Sequence, residues 1–279
     1  MAVRRPIVSV NGRRVQLPEG DTLLSVREQL TADRTYYVRT DGNDSNNGLA
    51  NNSSGAFRTI QKAVDVAATL DLSIYNLTVR CTGTFTEPVV LKTLVGAGRV
   101  IIRGASDDLI TMVVSTTNAI CFSMGLGYSG TYELSYMKLQ VSGTGNCIGG
   151  GGGGGSILYG NIDFGPASSH ISVGQGQYVR CVGPVTITGS VTGAHIGAFD
   201  GGQVRETGQT ITLVGTPSFF AFVSAARAAT ILVTTNTYIG AATGRRYQAV
   251  LNGVVVANGG ATYLPGSLDG VEDTGGRYV

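Results

Sequence analysis

Short β-prone runs return along the second half of this chain at a nearly constant spacing. They centre on Leu139 (KLQV), Ile162 (NIDF), Val185 (PVTI), Ile211 (TITL) and Val254 (GVVV). The first steps are about 23, 23 and 26 residues, and the interval from Ile211 to Val254 holds residues 231–235 and room for two smaller steps. A repeat of this length confines the chain to a stack of like units, each burying its apolar side against its neighbours. Several β runs per repeat and almost no helix signal predict an all-β fold, a right-handed parallel β-helix (a solenoid) with two or three short strands per coil. Coils then lie ~4.8 Å apart, and about seven of them make a rod of ~34 Å. A sandwich of antiparallel hairpins is the rival arrangement. It fits less well, because hairpin dipeptides are scarce and the pitch is regular.

Composition agrees with stacked strands. Of 279 residues 42 are Gly, 14% are charged and none is Trp. A chain that is 42% hydrophobic with no long charged block is not disordered. A net charge of +2 does not point to a nucleic-acid partner. The positive excess sits in residues 1–40, where Arg4, Arg5, Arg13, Arg14, Arg27, Arg34 and Arg39 outnumber Glu19, Asp21, Glu28 and Asp33. Such a segment either docks on an acidic surface or is simply solvated. No apolar stretch reads as a signal peptide or a membrane span. Cys81, Cys121, Cys147 and Cys181 fit neither a metal-ligand spacing nor a dense disulfide framework. They are expected as reduced, mostly buried thiols of a protein made in a cytoplasm, with a bond between chains or rungs as the alternative.

Residues 36–66 organise the front of the chain. Residues 36–40 are β-prone, residues 41–55 form a polar loop, and a helical pattern starts near Thr59. Ile60, Ala63, Val64 and Ala67 recur at i, i+3, i+4 and i+7, one face of a helix spanning about 59–70. Thr59 is its expected N-cap. One α-helix ahead of many strands suits a cap on the open end of a stack.

Before it, residues 7–10 and 13–17 flank Asn11-Gly12, the strongest short hairpin signal. An isolated hairpin is marginal in water, so this one is expected to pair with another copy or a partner. The chain is thus divided into an N-terminal arm (1–35), a β-helix domain (36–260) and a tail (261–279). Pro265 and the tail's glycines oppose long regular structure there, and the tail is expected to lie along the rod or plug its end. Seven consecutive glycines, 149–155, are expected as a loop by default, or else as a place where two backbones come close, as at the axis of an oligomer.

Few residues offer chemistry. A glycosidase needs carboxylates converging about 5–9.5 Å apart. Between residues 109 and 268 the acids are Glu133, Asp163, Asp200 and Glu206, and no two are separated by one coil. Asp200 and Glu206, with His195 and Arg205 beside them, form the most enzyme-like patch. Charges on a turn are much the plainer reading of it, and no catalytic residue is assigned. Gly125, Gly127 and Gly130 match G-x-G-x-x-G, yet the next residues are β-like, so the motif reads as a turn. Two histidines, His170 and His195, with no clustered cysteines give zinc no ligand set. Asp41, Asn43, Asp44, Ser45 and Asn46 resemble a calcium loop that lacks its required Gly and bidentate Glu, and Asx turns account for them without metal. No metal or cofactor is predicted. Tyr128, Tyr132, Tyr136, Tyr159 and Tyr178 would stack on sugars if they shared an exposed face; core packing is the plainer use.

The stretch YVRTDGNDSNNGLA…GAFRTIQKAVD, carried by Tyr37, Val38, Asp41, Gly42, Asp44, Gly48, Leu49, Phe57, Thr59, Ile60, Gln61 and Ala63, resembles the opening segment of right-handed β-helix domains of the pectate-lyase-like superfamily, in the version found in tailed-bacteriophage structural proteins. Residues 10–23 (VNGRRVQLPEGDTL) are similar to N-terminal segments of phage tail and collar proteins, and residues 263–278 to short C-terminal tails of virion proteins. The resemblance covers roughly a quarter of the chain, and the rung region matches only in texture. It implies a homotrimeric tail fibre, tailspike, collar or head decoration, assembled in the bacterial cytoplasm and joined to other virion proteins through residues 1–35. It also implies contact with host surface polysaccharide, without nucleic acid or membrane insertion. A polysaccharide depolymerase (lyase or hydrolase) is the alternative, and scarce acids count against it.

Overall fold

The computed structural model describes residues 7–10, 13–16, 27–109, 111–125, 127–152 and 154–279. From Arg34 the chain winds into a right-handed parallel β-helix with three faces and one α-helix. Antiparallel pairing among the described residues is confined to Ile7–Val10 with Arg13–Gln16; the other ladders between strands are parallel, which excludes the sandwich. Those two strands form a two-stranded sheet of their own. Asn11 and Gly12 lie outside the described residues.

The first face carries Arg34–Arg39, Val100–Gly104, Tyr178–Cys181, Gln203–Arg205, Thr230–Leu232, Val254–Val256 and Arg277–Tyr278. Leu77–Phe85, Thr131–Ser142 and Ser156–Phe164 are long enough to start on this face and turn onto the second. The second face adds Met112–Thr117, Val185–Ile187, Thr210–Leu213 and Thr237–Ile239. The third face is an eight-stranded ladder from Val89–Leu91 to Val271–Asp273, one rung more than the spacing suggested.

Alternation along each strand sends every second side chain inward, and parallel register piles these into columns. Leu77, Val100, Tyr132, Ile157, Val179, Val204, Ile231 and Val255 form one such column, each at most 1% exposed. On the second face Ile162 lies on Val185 and Val185 on Ile211, as the spacing predicts. Leu139 lies on Phe164 rather than Ile162, two residues along the same inward side. The next rung above Ile211 is Tyr238, whereas Val254 belongs to the first face. The long final step had therefore joined two different faces.

The helix, Ile60–Ala67, buries Ile60, Ala63, Val64 and Ala67, the stripe read from the sequence, and ends sooner than 70. Thr59 caps it, its hydroxyl accepting from Lys62 N. The helix covers the edge of the third face. There Gln61 accepts from Val90 N at 2.7 Å and donates to Val90 O at 3.1 Å, so one side-chain amide stands in for a missing strand.

The polar loop fixes the helix start. Asp44 Oδ1 accepts from Arg58 N and Thr59 N at 2.8 and 2.9 Å, and Oδ2 accepts from the Thr59 hydroxyl at 2.8 Å. Asn46 Nδ2 donates to Ser53 O and Ala56 O, and Asn43 Oδ1 accepts from Ser45 N. Asp41 pairs with Arg39. The residues resembling a calcium loop thus serve backbone turns and one ion pair. Asp44→Ala is expected to cost about 1–3 kcal/mol, since it strips three bonds from the helix start. A fall in the urea midpoint without a change in slope checks this.

Two expectations are corrected. The glycine run is only partly a loop: Asn146–Gly151 is a strand of the third face, with Gly150 between Met124 and Val173 in an inward column. A Cβ on Gly150 would lie 2.5 Å from Met124 O, and one on Gly155 would lie 1.9 Å from the Tyr128 ring. These positions are glycine because neighbouring coils fill the space. The tail does not merely lie along the rod; Val271–Asp273 and Arg277–Tyr278 extend the third and first ladders. Tyr263 closes the end of the second face, its hydroxyl accepting from Asn236 N at 2.6 Å and donating to Asn236 O at 3.2 Å.

Candidate functional site

The enzyme-like patch of the sequence does not assemble. Asp200 lies on an exposed corner with φ 50° and pairs with Arg227 at 2.5 Å. Arg205 points outward, its Nε donating to Thr207 Oγ1. His195 and Glu206 are both fully buried inside the coil. The cause is alternation: Val204 and Glu206 are inward positions on one path, and Arg205 between them faces solvent. Of the other acids, Asp163 pairs with Lys138 at 3.1 Å and accepts from the Thr188 hydroxyl at 2.7 Å. Glu133 pairs with Arg99 at 3.0 Å.

The interior instead holds a polar chain that crosses the core. His170 Nε2 donates to Gly165 O at 3.0 Å, and His170 Nδ1 meets His195 Nδ1 at 2.9 Å. His195 Nε2 faces Glu206 Oε2 at 3.5 Å, and the Tyr159 hydroxyl donates to the same oxygen at 2.7 Å. Phe164, Phe219 and Phe222 pack their rings around the two imidazoles. Burial holds the His170 pKa far below its usual value, so the ring is neutral. With hydrogen on Nε2, its Nδ1 accepts, and the hydrogen of the contact between imidazoles belongs to His195 Nδ1. A neutral His195 then turns a bare Nε2 towards Glu206. A hydrogen between these two atoms, carried by either, is what makes that contact attractive.

His170 gives a pH dependence with a definite sign. The unfolded chain binds a proton near the ordinary histidine value of about 6.5, and the folded chain does not. The stabilisation is fully present above about pH 6.5 and is lost as pH falls, by about 1.4 kcal/mol per unit until the buried ring itself titrates. Urea midpoints should therefore drop between about pH 6.5 and 5. Substituting His170 by Asn should flatten this limb. The thiols set the opposite limb. All four cysteines are free and buried, and burial pushes Cys81, Cys147 and Cys181 up, so their contribution fades as pH rises past the ordinary thiol value of about 8.5.

An open site lies on the outside, where the first face turns onto the second. It is a cleft of about 320 Å³ whose lining includes Arg80, Arg103, Glu133, Ser135, Tyr136 and Asn161. Register brings Arg80 beside Arg103, Arg103 beside Ser135, and Ser135 beside Gly160, although they come from four successive coils. Tyr136 and Asn161 turn the corner in the left-handed region, at φ 55° and 52°. Gly160 keeps the floor low: a Cβ there would lie 2.5 Å from Gly183 N. Thr78, Ile101 and Val182 complete the wall.

The cleft is cationic. Arg103 pairs with Asp107 and lays its guanidinium 4.3 Å from the Tyr136 ring centre. Arg80 is half-buried, and its one hydrogen bond among the described residues goes to Ala105 O at 3.2 Å. Of the five tyrosines considered as sugar platforms, Tyr128, Tyr132 and Tyr159 are core residues, at most 2% exposed. Tyr136 alone of the five borders the cleft. Sequence reasoning missed Arg80, Arg103, Ser135 and Asn161, which are far apart along the chain. Gly125, Gly127 and Gly130 connect the strands Phe122–Met124 and Thr131–Ser142, in line with the turn reading. The described residues hold no cluster of three or more His, Cys, Asp or Glu suited to a metal ion. Compared with family models, curated proteins and solved structures, the chain matches none.

Proposed function

We propose that this chain is a structural protein of a bacteriophage particle, a homotrimeric β-helical fibre, spike or decoration. Residues 1–35 join it to other virion proteins, and its outer faces contact host surface polysaccharide. The observation that carries this reading is the separateness of the front. Ile7–Val10 and Arg13–Gln16 form a sheet apart from the solenoid ladders, while the solenoid's own end is closed by the helix and Gln61. A two-stranded sheet needs a partner surface to be stable, and a closed solenoid end does not supply one. The likeness of residues 36–66 to phage β-helix proteins points the same way.

The geometry favours binding over cleavage. Depolymerisation by paired carboxylates requires both to face a bound sugar. Here Glu206 is enclosed, Asp200 is held by Arg227, and Asp163 is held by Lys138.

Light scattering on the purified chain tests the assembly. The reading predicts a mass near three times 28.8 kDa, and a stable monomer at micromolar concentration contradicts it. Removing residues 1–26, which spares the buried Leu30 and the first solenoid strand Arg34–Arg39, is expected to leave a folded rod that no longer joins particles, and normal incorporation would remove the anchoring role.

A further inference from the structure

We propose that the cleft between Arg80 and Asn161 binds the carboxylate of an acidic sugar. Its biological meaning rests on the glycan-contacting reading above; the binding itself does not. Three observations lead to it.

The first is charge without an internal partner. Arg80 and Arg103 are side by side on neighbouring strands, about 4.8 Å apart by strand geometry. Asp107 answers Arg103, and Arg99 already answers Glu133. Arg80 is left with one backbone carbonyl, although its guanidinium offers five donors in a planar fork. That fork matches a carboxylate bidentately.

The second is unused neutral hydrogen-bonding capacity beside it. The Ser135 hydroxyl, the Asn161 amide and the Tyr136 hydroxyl line the cleft, and none bonds to another described residue through its side chain. Ser135 is only 5% exposed, so its hydroxyl sits in a recess rather than in bulk water. Donors and acceptors of this kind suit ring hydroxyls.

The third is shape. Gly160 lines the floor without a side chain, and Ile101 and Val182 give it apolar patches. A space of about 320 Å³ takes one pyranose ring. A ligand that combines a planar anion, several hydroxyls and an apolar C–H face is a sugar acid. A bare phosphate would use the arginines and leave the rest of the cleft unanswered.

The test is titration of the full-length protein at low salt with methyl β-glucuronide, its methyl ester and methyl β-glucoside, followed by NMR saturation transfer and calorimetry. Glucose 6-phosphate serves as the phosphate-bearing arm. The proposal predicts binding of the glucuronide, with the ester and the glucoside each at least about tenfold weaker. Arg80→Gln should weaken the glucuronide by about tenfold or more and leave the ester almost unchanged. Asn161→Ala should weaken acid and ester alike by several-fold. Arg205→Gln, exposed on the same face two coils further on, should change neither.

Equal binding of acid and ester overturns the proposal, as does indifference to Arg80→Gln. Absence of glucuronide binding, or binding of the phosphate alone, overturns it too. If Arg80→Gln fails to fold by circular dichroism, the comparison of acid with ester on the native chain and the Asn161→Ala titration still decide. Loss of saccharide binding with particles still carrying the protein leaves the virion reading intact. Binding by a chain never found on particles removes that reading alone.

Discussion

Phe164→Ala is expected to destabilise the protein by about 3–5 kcal/mol, among the largest effects of any single truncation here. Phe164 is fully buried between Leu139 and Ile187 in an inward column. Its ring stacks on His170 at 5.0 Å and meets Tyr159 and His195 edge-on at 6.0 and 5.6 Å. Truncation removes this apolar area from the core and opens a cavity that the coils cannot close, because backbone hydrogen bonds to both neighbours fix their spacing. It also takes away one wall of the buried imidazoles. Urea denaturation measures the loss. Thr186→Ala, half-exposed on the outer side of the same rungs, should change stability by no more than about 0.5 kcal/mol. A comparable loss at both positions would mean that Phe164 does not fill a core.

Glu206→Ala is expected to cost about 3 kcal/mol, and Glu206→Gln about 1–2 kcal/mol. Alanine leaves the Tyr159 hydroxyl buried without its acceptor and takes away the carboxylate that faces the buried His195 Nε2. Glutamine has the same shape. With its amide nitrogen at the Oε2 position it donates to His195 Nε2 and to the Tyr159 oxygen, and the Tyr159 hydroxyl must turn its own hydrogen away from the acceptor it has lost. It therefore supplies the hydrogen that the native pair must otherwise carry as a proton. Paired urea titrations of the two variants check this order. If glutamine proved as damaging as alanine, Glu206 would be needed as a fixed charge, and the shared hydrogen between it and His195 would be wrong.

Much of the fold was legible because it depends on local pattern. Ile60, Ala63, Val64 and Ala67 announce a helix face whatever lies around them. Ile162, Val185 and Ile211 keep their spacing because successive coils of the second face are similar in length. Val254 broke the reading because a coil holds three strands, and spacing alone does not tell which face a run belongs to. His195 and Glu206 were grouped with Asp200 and Arg205 by distance along the chain. Inside a strand that distance means little, since odd and even positions part to opposite sides. A polar residue at an inward position leaves no signal in hydrophobic periodicity, so the buried chain from His170 to Tyr159 was hidden. The cleft was hidden for another reason. Arg80, Arg103, Ser135 and Asn161 become neighbours only once the register between coils is known. Gly160 and Gly183 were the nearest thing to a signal, marking where backbone packs against backbone.

The central claim is that consecutive coils stack in parallel with a definite register, and an engineered cross-link tests it most directly. Thr186 and Thr212 are register partners on the second face, with half-exposed side chains, and the native thiols are all buried. Neighbouring strands hold such Cα atoms about 4.8 Å apart, inside the range a disulfide spans. Thr186 with Thr210, two residues out of step, lies beyond about 7 Å and should not close. After mild oxidation the account predicts a disulfide linking positions 186 and 212 by peptide mapping, in a folded protein, and none in the out-of-step pair. A link that forms equally in both pairs, or in the second alone, would contradict the stacking.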